Sequence, residues 1–349
     1  MAATALPTIE GQYFRDLMEQ PTALEATLRW LRAAGRWKDV LRLVQSRRWQ
    51  RIVLTGMGSS FHTLQPLYWS LIAGGFNPVL METSELIHYG MALCDEHALI
   101  ILVSQSGASA ETVRLLELQR RSPVLGVTNT EHSPLARRAD LSILGQAGTE
   151  FSVSCKTYVG GMLSLQWLAA IFADAAEART LQRLGPAAEL ARQYLKDWRQ
   201  HVDALAGPLR GIRHLFLAGR GDSLAAVATG ALIIKESAHF HAEGMSSAAF
   251  RHGPLEMLGD ETFVLVFSGD TRTKDLNIRL LADILEQGSR AEVCGEDASS
   301  LAFRPPHAAA GIRAILEILP VQMVTLALAA QAKREPGRFE LATKVTITE

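Results

Sequence analysis

Short apolar runs alternate with longer helical patterns from Arg51 onward, and this alternation is the clearest signal in the chain. Each run is rich in aliphatic or β-branched residues and is followed by small or polar residues before a helical pattern begins. The first four runs occupy residues 51–55, 77–83, 98–103 and 123–128. Alternation of this kind is typical of a parallel sheet with helices on both faces, whose ligands bind beyond the carboxyl ends of the strands. We therefore predict an α/β fold.

The same order of elements returns in the second half of the chain. LTGMGSS at 54–60 is echoed by LAGRGDS at 217–223, and ILVSQSG at 101–107 by VLVFSGD at 264–270. Repetition over so long a period indicates a duplicated α/β unit. We predict five parts: a helical N-terminal segment (1–46), a first domain (47–185), a helical linker (186–206), a second domain (207–335) and a C-terminal tail (336–349).

Charge and cysteine content narrow the class of protein. Lys and Arg total 35 against 36 Asp and Glu, so the chain has no excess of positive charge for a nucleic acid or a lipid surface. The three cysteines are far apart and lack C-x-x-C spacing, which fits a reducing compartment. The N-terminus has no secretion pattern, and the apolar run Ile312–Ala330 contains Arg313 and Glu317. We expect a cytoplasmic protein with a buried helix there and no membrane partner.

Two loops that follow predicted strands carry groups suited to an anion. The first loop, after the run at 51–55, contains Gly56, Gly58, Ser59 and Ser60. Small residues at a helix start let backbone N–H groups approach an anion, and hydroxyls add donors. The second loop, after the run at 98–103, contains Ser104, Gln105, Ser106, Gly107, Ser109 and Thr112. Donors without a cation favour the phosphate of a small neutral molecule over a nucleoside triphosphate, which usually recruits Lys and magnesium.

Each of these features also has a plainer interpretation. A glycine-rich turn can be a tight strand-to-helix connection, and a hydroxyl at a helix start is most often an N-cap. A dinucleotide site would need G-x-G-x-x-G with an acidic residue about twenty positions later, which neither loop completes. His239 and His241 could hold an ion, but no Cys or third His lies nearby in the sequence. We predict neither a metal nor a cofactor.

A longer series of motifs runs through both halves. It comprises S-Q-S-G-x-S, then G-T-E at 148–150 with Lys156, then G-R-G-D at 219–222, K-E, H-A-E and H-G-P. From Glu19 to the C-terminus, the chain resembles the sugar isomerase (SIS) domain family, most closely the isomerase part of the glucosamine-6-phosphate synthases. The resemblance implies two tandem SIS domains, each a flavodoxin-like parallel sheet flanked by helices.

The resemblance also implies roles for particular residues. The side chains expected to hold a sugar phosphate are Ser60, Ser104, Gln105, Ser106 and Ser109, and those expected to contact other parts of the substrate are Gly58, Ser59 and Lys156. Glu236 matches the base that moves a proton between two sugar carbons, and His252 matches the residue that opens the sugar ring. Without the resemblance, Lys235 and Glu236 would be interpreted as a charged pair at a helix end. In this family the His252 loop often reaches a neighbouring subunit, which implies a homodimer.

Departures from the family pattern leave the substrate open. Ile233 stands where the synthases have a lysine, and the tail contains Thr343-Lys344 around the position of the family's tail lysine, so Lys344 is a catalytic candidate. The loop between Glu150 and Lys156 is one residue shorter, and the sequence lacks the glutaminase half. We predict an isomerase or amino-sugar-phosphate deaminase acting on a hexose or hexosamine 6-phosphate. A deglycase of a ketose-amine phosphate, a non-catalytic sugar-phosphate sensor and a nicotinamide oxidoreductase remain alternatives.

Overall fold

The computed structural model describes residues 9–33, 35–46, 49–119, 121–341 and 343–346. The strands are β1 (Arg51–Gly56), β2 (Pro78–Glu82), β3 (Ala98–Val103), β4 (Val124–Thr128), β5 (Leu141–Leu144), β6 (His214–Gly219), β7 (Ala242–Ser246), β8 (Thr262–Phe267) and β9 (Arg290–Cys294). The helices are α1 (Gln12–Met18), α2 (Gln20–Leu31), α3 (Arg36–Gln45), α4 (Gly58–His62), α5 (Gln65–Ala73), α6 (Thr83–Tyr89), α7 (Ala110–Leu118), α8 (Pro134–Arg138), α9 (Lys156–Phe172), α10 (Glu177–Leu184), α11 (Ala187–Leu195), α12 (Trp198–Leu205), α13 (Leu224–Ala238), α14 (Ser247–Phe250), α15 (Lys274–Glu286), α16 (Ala310–Leu316) and α17 (Ile318–Gln331).

The chain divides into two compact units, each built around one sheet. The first-sheet unit consists of Gln20–Thr149, Cys155–Ala188 and Thr343–Glu349. The second-sheet unit consists of Met1–Glu19, Glu150–Ser154 and Glu189–Ala342. The five-part division made from the sequence stays a prediction.

The first sheet is parallel and has the strand order β2-β1-β3-β4-β5. This is the flavodoxin-like order, in which the chain changes direction between β1 and β3. β3 is buried along its whole length because helices cover both faces, which explains why its sequence is continuously apolar. The crevice beyond the carboxyl ends of β1 and β3 is therefore the expected place for a ligand.

The second sheet repeats this arrangement with the order β7-β6-β8-β9, again parallel. Its change of direction lies between β6 and β8, and β8 is buried throughout. α13 follows β6 and packs against α17. The predicted α/β fold with two tandem parallel sheets is confirmed.

The most apolar helical stretch of the described residues belongs to the core of the second-sheet unit. Residues Ala310–Gln331 are long and apolar enough to cross a membrane by length and composition, but 94% of their most apolar window is buried inside the protein. α17 packs against α12 as well as α13, which accounts for this burial. The predicted buried helix at 312–330 is confirmed, although it is divided between α16 and α17 at Glu317.

Two neighbouring glycines of α9 allow a test of core packing in the first-sheet unit. A Cβ at Gly161 would meet nothing within 4 Å, whereas one at Gly160 would lie 3.1 Å from Thr27 Oγ1 and 3.2 Å from the Gly145 carbonyl oxygen. Gly161→Ala should raise the free energy of unfolding by about 0.5–1 kcal/mol, because Ala loses less backbone entropy in a helix. Gly160→Ala should not increase the free energy of unfolding, because its methyl group would crowd Thr27 and the Gly145 carbonyl group. Urea denaturation of both variants tests this, and equal stabilisation would contradict the close approach.

Candidate functional site

A small cavity lies in the predicted crevice of the first-sheet unit. Its volume is about 120 Å³, and it is bounded by the loops after β1 and β3 together with the C-terminal tail. The lining residues are Met57, Ser60, Val103, Ser104, Gln105, Ser106, Ser109, Thr112, Lys344, Val345 and Thr346. We call this cavity the hydroxyl pocket. It brings together the five residues that the sequence predicted for phosphate binding, along with Lys344.

The backbone of the second loop is held by its own hydroxyls. Ser104 Oγ accepts a hydrogen bond from the Gly107 N–H at 3.1 Å, and Ser106 Oγ accepts one from the Ala108 N–H at 3.2 Å. Gly107 has a φ of +62°, a value that favours glycine and lets the chain turn between strand and helix. Because Ser104 and Ser106 use an oxygen lone pair in these bonds, each hydroxyl hydrogen can still be donated to an anion.

Ser109 behaves differently because it caps α7. Its Oγ accepts a hydrogen bond from the Thr112 N–H at 3.3 Å and donates one to Thr112 Oγ1 at 3.0 Å. Thr112 is almost fully buried and lines the same pocket. For Ser109 the N-cap interpretation from the sequence therefore holds, and its hydroxyl would have to turn away from Thr112 to donate to a phosphate.

The C-terminal tail forms one wall of the hydroxyl pocket. The N–H of Ala110, the first residue of α7, donates to the Thr346 carbonyl oxygen at 3.1 Å. Lys344 is half-buried and supplies a positive charge among the described lining residues. This contact between residues far apart in the sequence could not be read from either segment alone. The position of the tail therefore places a cation, Lys344, beside the Ser104–Ser109 loop, which contains no cation of its own.

Three predicted substrate contacts lie outside the described lining of the hydroxyl pocket. Gly58 and Ser59 form the first turn of α4, directly before Ser60. Lys156 begins α9 and is 4% exposed. Their assignment as substrate contacts stays a prediction.

Glu236 and His252 belong to the second-sheet unit. Glu236 lies two residues before the end of α13 and is half-buried, whereas Lys235 beside it is exposed. Ile233, at the position where the resemblance led us to expect a lysine, is fully buried in the same helix. His252 is exposed and follows α14, with its backbone N–H donating to the Ala249 carbonyl oxygen at 2.9 Å. An exposed imidazole and a half-buried carboxyl group can both exchange protons with a ligand.

The loops that follow β6 and β8 in the crevice of the second sheet carry charged groups in addition to hydroxyls. Asp222 follows β6, Asp270 follows β8 and Arg272 pairs with Asp270 at 2.7 Å. Burial raises the pKa of Asp222, and the Arg313 charge opposes that rise. Burial would also raise the pKa of Asp270, but the hydrogen bonds and charge of Arg272 outweigh it and lower the pKa.

Glu317 is the buried acid of this second crevice. Burial raises its pKa to about 7, against the opposing effects of Arg313 and the Ser223 hydrogen bond. In the sequence, Glu317 stands out only as a polar interruption of an apolar run. A lone glutamate inside a long apolar helical pattern was the available signal.

The two histidines considered as an ion site are directed to different partners. His241 Nδ1 lies 3.1 Å from Nδ1 of His214 on the neighbouring strand, while His239 Nε2 lies 3.3 Å from the Arg338 carbonyl oxygen. In the described part of the chain, no group of three or more His, Cys, Asp or Glu is placed to hold a metal ion.

Comparison with known proteins agrees with this fold. The SIS domain family model matches residues 46–171 and 209–332, which together make up most of the chain. The chain therefore belongs to the SIS domain family. The first matched segment contains the first parallel sheet, and the second matched segment contains the second.

Individual relatives carry related names. The isomerizing glutamine–fructose-6-phosphate aminotransferase of Pyrococcus horikoshii is 29% identical over 95% of the chain, and the chain spans 57% of that protein's length. Glucosamine-6-phosphate deaminase of Thermotoga maritima superposes with a TM-score of 0.79 at 19% identity, covering 97% of this chain and 100% of the other. Tagatose-6-phosphate ketose/aldose isomerase of Escherichia coli gives a TM-score of 0.79 at 20% identity, covering 97% and 98%. The two structures share the fold of this chain.

Proposed function

We propose that this protein is a phosphosugar isomerase or amino-sugar-phosphate deaminase that acts on a hexose or hexosamine 6-phosphate. The observation that carries the proposal is the hydroxyl pocket, where Ser60, the Ser104–Ser109 loop and Lys344 converge at the direction change of a parallel sheet. Similarity to an aminotransferase, a deaminase and an isomerase, each named for a 6-phosphosugar, supports the same substrate class. In this proposal the pocket holds the phosphate and the sugar extends out of it.

The phosphate would be bound by directed donors together with one cation. Ser104 and Ser106 donate their hydroxyl hydrogens, and the Lys344 ammonium offsets part of the negative charge. A hydrogen bond to a charged group contributes about 1.5–3 kcal/mol, so a few of them suffice to hold a phosphosugar at micromolar to millimolar concentration. Gly58, Ser59 and Lys156 are proposed to contact the remainder of the substrate.

Glu236 and His252 are proposed to carry out the proton transfers. His252 opens the sugar ring by moving a proton to the ring oxygen, which an imidazole can do near neutral pH. Glu236 then takes a proton from the carbon beside the carbonyl group and returns it to the former carbonyl carbon. The hydroxyl proton passes to the former carbonyl oxygen, and the ketose becomes an aldose. With an amino sugar, the same proton transfer between carbons produces an imine, and addition of water to the imine releases ammonia and leaves a ketose. A homodimer that shares the His252 loop and a cytoplasmic location also stay predictions.

A substrate panel tests this proposal. Purified protein is incubated with fructose 6-phosphate, tagatose 6-phosphate, glucosamine 6-phosphate and a ketose-amine 6-phosphate, and with the matching unphosphorylated sugars. We expect ketose–aldose conversion or ammonia release with a phosphorylated sugar and none with its unphosphorylated counterpart. Ser106→Ala should raise the KM about tenfold, because one hydrogen bond to the phosphate is lost. Ser70→Ala, which alters an exposed hydroxyl on α5, is the matched control.

The outcomes separate the candidate functions. Ammonia release identifies a deaminase, and conversion without ammonia identifies an isomerase. Release of an amine from a ketose-amine phosphate would instead identify a deglycase. Phosphosugar binding without turnover would overturn the enzyme proposal and favour the regulatory protein, and an unchanged KM for Ser106→Ala would contradict the assigned phosphate site.

A further inference from the structure

Glu317 is a buried carboxyl group at the break between two helices of the second-sheet unit. It lies between α16 and α17, and its exposed fraction is 2%. Its Oε1 accepts a hydrogen bond from the Ser223 hydroxyl at 2.9 Å and lies 3.4 Å from Arg313 Nε. Within the described residues, its Oε2 is buried without a hydrogen-bond partner. Buried polar atoms of this kind are uncommon in proteins and point to a role beyond packing.

The Ser223 hydrogen bond attaches this carboxyl group to the start of α13. Ser223 is fully buried and closes the 3₁₀ turn Gly221–Ser223 between β6 and α13. α13 also packs against α17, which begins directly after Glu317. Glu236 lies near the opposite end of α13. A movement of the Glu317 carboxyl group therefore alters the first turn of α13, the helix that carries the proposed base.

Charged and titratable groups from several elements face the Glu317 carboxyl group. They are Arg313 on α16, Asp222 in the 3₁₀ turn, Asp270 after β8 and Cys294 at the end of β9. Arg272 acts on Asp222 and pairs with Asp270. Burial raises the pKa of Glu317 to about 7, Arg313 and the Ser223 hydrogen bond oppose the rise, and the two aspartates add to it. The carboxyl group therefore changes its protonation state close to neutral pH.

The surroundings favour a different arrangement for each protonation state. As a neutral acid, Glu317 keeps its buried place with Oε1 on the Ser223 hydroxyl, as in the structure. As a carboxylate, it would accept the Ser223 hydrogen bond more strongly and be attracted to Arg313, and both effects lower its pKa. Burial outweighs them, because the charge would be shared with Oε2, which has no hydrogen-bond partner within the described residues. Ionisation therefore favours a movement of the carboxylate that brings Oε2 into contact with water, and such a movement competes with the bond to Ser223.

We propose that Glu317 is a positioning residue that transmits its protonation state through Ser223 to the start of α13 and so to Glu236. Only the last step, the placement of the base, rests on the proposed function. Ionisation moves the carboxylate away from its buried position, which breaks the Ser223 hydrogen bond and loosens the first turn of α13. Protonation restores the hydrogen bond and the turn.

Amide hydrogen exchange of α13, measured by mass spectrometry without substrate, tests the first part of this proposal. After correction for the intrinsic exchange rate, peptides covering residues 221–228 should exchange about fivefold faster at pH 8 than at pH 6, as expected for the loss of one hydrogen bond. Glu317→Gln keeps the acceptor oxygen and the volume but cannot ionise, so its ratio should be close to one. Ser223→Ala should exchange fast at both pH values, because the connection is removed.

Glu286→Gln is the matched control, since Glu286 is an exposed residue of α15 in the same unit. It should keep the wild-type exchange ratio. A wild-type ratio close to one, or a Glu317→Gln variant that keeps the wild-type ratio, would overturn the proposed connection between Glu317 and α13.

The second part is tested by the pH profile of kcat with the best phosphosugar of the panel. The wild type should show an inflection near pH 7, where Glu317 titrates, and Glu317→Gln should lack it. An unchanged inflection in this variant would overturn the step from α13 to Glu236. If no phosphosugar is turned over, the proposed function fails and the step to the base fails with it, while the exchange experiment still decides the connection to α13.

Discussion

Replacement of Glu236 by Gln should lower kcat for a phosphosugar substrate by about 10²–10⁴-fold, the usual contribution of a positioned general base. Gln keeps the size and polarity of the side chain but cannot take a proton from a sugar carbon. Because the proposed phosphate contacts lie in the hydroxyl pocket, KM should change by less than about threefold. Steady-state kinetics on the substrate identified by the panel checks both values.

Two controls make the Glu236 result specific. Glu286→Gln, an exposed substitution in the same unit, should leave both constants unchanged. His252→Asn should also lower turnover, but with a smaller effect on a sugar that is already in its open-chain form, because His252 is assigned to ring opening. Normal turnover by Glu236→Gln would place the base elsewhere.

The free energy of unfolding should fall by about 3 kcal/mol between pH 5 and pH 8 through Glu317 alone. The pKa of Glu317 is raised from 4.5 to about 7 in the folded protein, with burial as the largest cause. Between these two values the folded state binds a proton that the unfolded state has released. Raising the pH therefore favours unfolding, and the loss is complete above the folded-state pKa.

Urea denaturation at pH 5, 6, 7 and 8 measures this effect when the wild type is compared with Glu317→Gln. The difference between the two proteins should grow in favour of Gln as the pH rises and level off above pH 7. Other groups titrate as well. The pKa of His201, for example, is lowered by burial, which adds stability that is lost toward acid pH. Since such terms occur in both proteins, they cancel in the difference.

Glu286→Gln should follow the wild type at every pH. A constant difference between wild type and Glu317→Gln would show that the carboxyl group does not change protonation in this range. The same result would remove the basis for its proposed role as a positioning residue.

Local sequence patterns predicted four of the five strands of the first sheet and missed β5. The run at 98–103 coincides with β3, and the run at 51–55 is extended by one residue in β1. Continuous apolar runs bounded by glycine and hydroxyl residues specify a buried parallel strand largely by themselves. The repeat then allowed the second sheet to be predicted from the first.

The candidate site was predictable where it depends on loops that directly follow strands. Ser60 and the Ser104–Ser109 loop were predicted to lie close together, because the carboxyl ends of parallel strands meet at one edge of the sheet. The contact of Thr346 with α7 was not predictable, because the tail and the helix are separated by more than 200 residues. The pairing of Ser109 with Thr112 also needed coordinates, since an N-cap and a phosphate ligand have the same sequence signature.

The sequence by itself determined the α/β class, the duplication and the hydroxyl-rich loops, because these follow from hydrophobic periodicity and from residues close together in the chain. Only the tertiary structure decided that Lys344 lines the hydroxyl pocket and that Glu317 is a buried acid tied to α13. Both depend on contacts between distant segments, and the protonation of a carboxyl group depends on burial and neighbouring charges, which the order of residues along the chain does not specify.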